Sequence, residues 1–119
     1  MVVDDDTVVR HLGCSLLERF GYTVIEAASG EEALEIYAHK GSSIALTILD
    51  LDMPGMGGGN GLARLTAEDP AARVIIASGY APQGAEAESL AQQARGFIGK
   101  PYQLESMLQM VREALDQTT

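Results

Sequence analysis

Residues 45–58 read ALTILDLDMPGMGG, and the change of character inside that stretch decides the fold. Ala45, Leu46, Thr47, Ile48 and Leu49 form an almost continuous apolar and β-branched run, the composition of a strand buried on both faces of a parallel sheet. Asp50 then stands at the carboxyl end of that strand. In open α/β sheets this edge is where ligands bind, at the point where strand order reverses. The following Met53-Pro54-Gly55-Met56-Gly57-Gly58 cannot prolong a strand, because proline lacks the backbone donor and glycine favours turns. A carboxylate is therefore expected at a sheet rim, beside a loop.

Upstream, Met1-Val2-Val3 runs into Asp4-Asp5-Asp6 and reads as the end of a first buried strand whose beginning is missing, as in a domain excised from a longer protein. Val8, Val9, Leu12, Leu16, Leu17 and Phe20 recur at helical spacing over residues 7–20, with Asp6 or Thr7 as N-cap and Gly21 as stop. Residues 22–27, with Val24 and Ile25, predict a second strand. Ser29-Gly30-Glu31-Glu32 has capping-box spacing, and the helix it opens carries Ala33, Leu34, Ile36, Tyr37 and Ala38 before Lys40-Gly41.

Downstream, residues 62–68 predict a third helix that begins late, since Gly57, Gly58, Gly59 and Gly61 each disfavour a helix interior by ~1 kcal/mol relative to alanine. Asp69-Pro70 ends it. Residues 73–78, RVIIAS, predict strand four, and residues 85–95 a loosely packed fourth helix with Leu90 as its single large apolar anchor. Gly96-Phe97-Ile98-Gly99 is a short fifth strand before Lys100-Pro101. Leu104, Met107, Leu108, Val111 and Leu115 mark an amphipathic last helix. Five strand and helix alternations in 119 residues argue a single domain over residues 1–119, a three-layer doubly wound α/β fold of flavodoxin type. Right-handed crossovers with one switch point give a five-stranded parallel sheet of order 2-1-3-4-5.

Charge and cysteine content narrow the function. Against 17 Asp and Glu stand 8 Lys and Arg, a net charge of -9, which gives no electrostatic support for direct nucleic-acid binding and favours cations as small ligands. The one cysteine, Cys14, falls on the apolar side of the first helix and reads as a buried, inert thiol in a reducing, cytoplasmic setting. No apolar run is long enough to span a bilayer.

In the order 2-1-3-4-5, strands one and three are neighbours, so Asp4, Asp5 and Asp50 converge at one rim with Ser78 and Lys100. Clustered carboxylates repel, and a hard divalent cation such as Mg²⁺ relieves that repulsion using one or two carboxylates, waters and phosphate oxygens. A carboxylate is also a nucleophile towards phosphorus, and Lys100 with Ser78 would serve the phosphoryl oxygens as cation and donor. Each residue alone has a plainer reading: an acidic triplet caps a helix, a serine makes a turn, a lysine is a solvated charge and Phe97 is core. His11 and His39 have no partner at metal-ligand spacing and receive no role.

The four segments Val3-Asp4-Asp5-Asp6, Leu49-Asp50-Leu51-Asp52-Met53-Pro54-Gly55-Met56, Ala77-Ser78-Gly79-Tyr80 and Gly99-Lys100-Pro101-Tyr102 occur at the ends of strands one, three, four and five. In that order the chain resembles the response-regulator receiver domain of two-component signalling over essentially its whole length. The resemblance implies that Asp50 accepts a phosphoryl group from a phosphohistidine on a histidine kinase or phosphotransfer domain. It implies Mg²⁺ bound by Asp5, Asp50 and the Asp52 backbone carbonyl, with Asp4 assisting through water. Ser78 and Phe97 match the switch positions that pass the signal to a downstream output domain or protein, and Lys100-Pro101 matches a cis peptide. Such a domain is no conventional enzyme, although it catalyses its own phosphorylation and a slow hydrolysis of the aspartyl phosphate. Residues 75–80 and 96–102 look more like receivers of hybrid sensor kinases than like those of DNA-binding regulators. Three departures stand out: a glycine-rich loop after Met56, the extra carboxylate of Asp52 close to the metal, and Tyr80 two residues after Ser78.

Two rivals share part of the pattern. Asp50-Leu51-Asp52 also fits the nucleophile and acid of a haloacid-dehalogenase-type phosphohydrolase, but there the nucleophile's strand comes first and the acidic pair late, the reverse of this chain. A pseudo-receiver that never takes phosphate is a binding module, and an intact set of Asp5, Asp50, Ser78 and Lys100 argues against it.

Overall fold

The computed structural model describes residues 1–53, 58–79 and 83–116. Its strands are β1 (Val2–Val3), β2 (Glu26–Ala27), β3 (Thr47–Asp50), β4 (Val74–Ser78) and β5 (Gly96–Gly99). Between and after them lie α1 (Thr7–Glu18), α2 (Gly30–Lys40), α3 (Gly58–Glu68), α4 (Gly84–Gln93) and α5 (Leu104–Asp116). The sheet is parallel, in the order β2-β1-β3-β4-β5, as the alternation of elements predicts. Asp50 pairs with Ala77 in register, so the ends of β3 and β4 lie side by side.

Successive strand residues point to opposite faces, and the core divides accordingly. Val2, Ile48, Ile75, Ala77 and Ile98 pack with Cys14 and Leu17 of α1 and with Met107, Val111 and Ala114 of α5. On the other face Val3, Leu49, Val74 and Ile76 pack with Ala33 and Tyr37 of α2 and with Leu62 and Leu65 of α3. These are the three layers expected.

Local signals fix the helix ends. The Asp6 carboxylate accepts the Val8 and Val9 amides at 2.9 and 3.1 Å and caps α1. At the start of α2 the Ser29 hydroxyl accepts the Glu32 amide at 3.1 Å, while the Glu32 carboxylate reaches back to the amide of Ala28 rather than that of Ser29. Gly21, at φ +91°, supplies the left-handed turn that stops the chain after α1.

Three expectations need correction. The apolar face of α1 is narrower than its spacing suggests: Gly13, Cys14 and Leu17 are buried, whereas Val8, Leu12 and Phe20 are 78, 43 and 53% exposed. Gly13 lies on the inward face, where an added Cβ would stand 3.0 Å from the Tyr102 ring, and Val8 and Leu12 fall outside that face. Helix α3 begins at Gly58, earlier than its glycines predict. Tertiary packing overrides propensity there, since Leu62 and Leu65 are buried against the sheet. Strand β2 is confined to Glu26–Ala27, opposite the two paired residues of β1. The loop over residues 54–57 and Tyr80 lie outside the described residues.

Helix α4 packs as loosely as its small side chains predict. Leu90 and Ala94 are only half-buried, and a groove of about 450 Å³ runs between α4 and β5, lined by Ile76, Leu90, Ala91, Ala94 and Phe97. Among the described residues no helix is long and apolar enough to cross a membrane.

Candidate functional site

Strand ends position every group at the rim. Asp4 and Asp5 follow β1, Asp50 closes β3, Ser78 closes β4 and Lys100 follows β5. Asp4, Asp50 and Ser78 are buried, and for the two carboxylates that is unusual unless they are paired.

Lys100 supplies the compensating charge. Its ammonium lies 2.8 Å from Asp4 Oδ2 and 2.9 Å from Asp50 Oδ1, and only 16% of its side chain is exposed. Burial alone would lower the Lys100 pKa, but the hydrogen bonds and charges of Asp4 and Asp50 outweigh it and the value is raised. Asp50 is also raised: burial is the largest cause and the Asp4 charge adds to it, against the Asp52 amide and Lys100, which lower it. The Asp52 N–H donates to Asp50 Oδ1 at 3.0 Å. Asp4 Oδ1 accepts the Asp6 amide at 2.9 Å, and Arg10 donates to the Asp4 carbonyl at 2.8 Å.

Asp4, Asp5 and Asp50 each offer a carboxylate oxygen, and these oxygens all lie within 4.8 Å of one another. Two of the three residues are buried and Asp5 is exposed, so the group opens to solvent on one side. Three carboxylates against one ammonium leave an excess of negative charge, and an oxygen-only donor set suits a hard divalent cation. The residues present fit such an ion.

Asp52 is not part of that carboxylate group. Its carboxylate turns to the end of β4, where the Ser78 hydroxyl lies 3.0 Å from Oδ1 and 3.1 Å from Oδ2, and the Gly79 amide donates to Oδ2 at 3.1 Å. Phe97 is half-buried in β5 and borders the α4 groove. The Lys100-Pro101 peptide is cis, as expected. Sequence reading missed Arg10, the Gly79 amide and Tyr102, whose buried ring approaches Gly13 and whose pKa is raised by burial and then by the Asp4 and Asp50 charges. Tyr102 sits two residues after Lys100, a spacing that could have flagged it.

The family model of the response regulator receiver domain matches residues 1–112. The chain belongs to that family, and the parallel order β2-β1-β3-β4-β5 with its acidic rim is the family's receiver architecture. Among individual relatives it is 39% identical over 117 residues to the sensor kinase CckA of Brucella abortus, covering 98% of this chain but only 12% of that kinase. It is 32% identical over 115 residues to the chemotaxis protein CheY of Listeria monocytogenes, covering 96% of this chain and 95% of that protein. A chain in the crystal structure of the CheX-CheY-BeF3-Mg²⁺ complex from Borrelia burgdorferi superposes with a TM-score of 0.90 at 30% identity, covering 98% of this chain and 87% of that one. The receiver domain of the hybrid histidine kinase CckA superposes at 0.80 with 31% identity, covering 97% and 96%. The chain is a receiver domain of CheY-like type, a family whose members act in two-component phosphorelays.

Proposed function

We propose that Asp50 is the phosphoacceptor, taking a phosphoryl group from the phosphohistidine of a histidine kinase or phosphotransfer domain on the cytoplasmic side of the membrane. The observation that carries this reading is the buried Asp50 carboxylate at the end of β3, held by Lys100 at 2.9 Å within the Asp4, Asp5 and Asp50 group. Oδ1 is committed to Lys100 and the Asp52 amide, so Oδ2 is the nucleophile. An Oδ2–P bond forms as the P–N bond to histidine breaks, and the electron pair of that bond stays on the departing imidazole nitrogen. Mg²⁺, held by Asp5, Asp50 and the Asp52 carbonyl with Asp4 reached through water, would neutralise charge on the phosphoryl oxygens. Lys100 keeps one positive charge beside the acceptor, and Ser78 supplies a hydroxyl donor.

Ser78 and Phe97 form the switch: the hydroxyl follows the phosphoryl group, and the ring turns into the space beside it. The loosely held α4 groove and β5 then present a different surface to an output domain or protein. Slow hydrolysis of the aspartyl phosphate resets the site. Likeness to a sensor kinase supports a place in a hybrid kinase or its phosphorelay.

Two measurements test the reading. Acetyl phosphate with Mg²⁺ should add one phosphoryl group per chain, visible by intact mass, and a chelator should prevent it. Steady turnover of a generic phosphomonoester would instead favour the phosphohydrolase, which needs the Asp52 carboxylate as acid beside Asp50 rather than on Ser78 and Gly79. A protein that takes no label would be a pseudo-receiver.

A further inference from the structure

We infer that the Asp52 carboxylate is an internal competitor of the phosphoryl group, holding in the resting protein the donors that an aspartyl phosphate on Asp50 must recruit. This rests on the phosphoacceptor reading and adds to it a latch that nothing in that reading requires. Asp50 and Ala77 are paired in register, and the Leu51 amide donates to the Ala77 carbonyl at 2.8 Å, so Ser78 and Gly79 emerge directly beside the acceptor. A phosphoryl group there meets Lys100 on one side and the donors of Ser78 and Gly79 on the other.

Those two donors are already turned to an anion. The single Ser78 hydroxyl proton is shared between the two Asp52 oxygens at 3.0 and 3.1 Å, and the Gly79 N–H closes the contact at 3.1 Å. A carboxylate bridging a hydroxyl and the next backbone amide offers them what two phosphoryl oxygens would offer, with one negative charge instead of nearly two. Asp52 is solvent-exposed, so its carboxylate can exchange these donors for water. Phosphorylation is therefore an exchange of anions. The Asp52 carboxylate leaves Ser78 and Gly79 for water as the phosphoryl oxygens take them, and the hydrogen bonds that Asp52 gives up in the exchange favour the resting state. A side chain that accepts nothing from Ser78 should ease the exchange.

The test uses beryllofluoride, a tetrahedral stand-in for the phosphoryl group, at saturating Mg²⁺, with binding followed by NMR and the initial rate of acetyl phosphate labelling measured in parallel. Asp52→Ala should bind beryllofluoride about tenfold more tightly than wild type, equivalent to ~1.4 kcal/mol, and label correspondingly faster. Asp52→Asn, which keeps one acceptor but no charge, should fall between. Before any beryllofluoride is added, the Gly79 amide resonance should already be displaced in Asp52→Ala. In a Ser78→Ala background the gain from Asp52→Ala should shrink to less than about threefold, because the hydroxyl being released is gone. An equal gain with and without Ser78 would reduce Asp52 to a repelling charge and overturn the latch, as would unchanged or weaker binding in Asp52→Ala. If wild type itself neither binds beryllofluoride nor takes the label, the phosphoacceptor reading fails and the latch with it. If wild type does both and Asp52→Ala binds no tighter, the latch alone fails.

Discussion

At the scale of single residues the site is a charge arrangement out of balance, with Asp4 and Asp50 sharing one ammonium from Lys100. Asp50 is the expendable charge in that trio, since burial and the Asp4 charge push its pKa up. Asp50→Asn keeps an oxygen for Lys100 and removes the strain, so the variant should melt higher at neutral pH, by about 1 kcal/mol or roughly 4 °C. Lys100→Ala should do the opposite and cost about 3 kcal/mol, because it leaves two carboxylates buried without a counter-ion. Thermal melts of both variants against wild type check the pair, and a lower melting point for Asp50→Asn would contradict this view of the charges. Cys14 gives a separate residue-level test. Burial chiefly, with the charges of Glu26 and Glu18, pushes its thiol up to about 11. A raised folded-state pKa means that its stabilising contribution is complete below the unfolded value of about 8.5 and is lost as pH rises through 11. Urea unfolding across pH 8 to 11 should therefore show a shallower alkaline decline in Cys14→Ala than in wild type.

At the scale of elements, stability is expected to be uneven. Strands β3 and β4 have every residue buried, whereas none of the described side chains of α4 is buried and the helix flanks an open groove beside β5. Native-state hydrogen exchange should therefore open the α4 amides well before those of β3 and β4. Equal protection across these three elements would remove the soft face on which the proposed switch depends. The same contrast explains what the sequence made legible. Ala45 to Leu49 carries an almost continuous apolar and β-branched run, and the Ser29 and Asp6 caps are local chemistry, so strand order and most helix starts could be read from neighbours in the chain. The inward face of α1 could not, because Gly13 and the Tyr102 ring that lies against it are 89 residues apart in the chain. Nor could the early start of α3, where burial of Leu62 and Leu65 against the sheet overrides helix propensity. The site residues were legible as strand ends, but the direction of the Asp52 carboxylate was not, since only the folded rim brings Ser78 and Gly79 to it.

At the scale of the whole molecule, the fold converts four strand termini into one acidic rim, on a chain whose net charge is -9. A cation bound there by the native state alone should stabilise the entire domain in proportion to its concentration. Mg²⁺ should raise the melting temperature of wild type, and Asp5→Ala should lose most of that rise, since Asp5 is the exposed member of the carboxylate group. An equal rise in the variant would place the cation elsewhere. The rim also limits the proposed switch: charge-assisted hydrogen bonds of ~1.5 to 3 kcal/mol shift a two-state equilibrium by one to two decades, short of the roughly four needed for complete reversal. Some active-like population is therefore expected before phosphorylation. All of this depends on Asp50 being the group that is modified. Intact-mass spectra of wild type and Asp50→Asn, taken side by side after acetyl phosphate and Mg²⁺, test that directly: wild type should gain one phosphoryl group and Asp50→Asn none, and a full adduct on Asp50→Asn would contradict it.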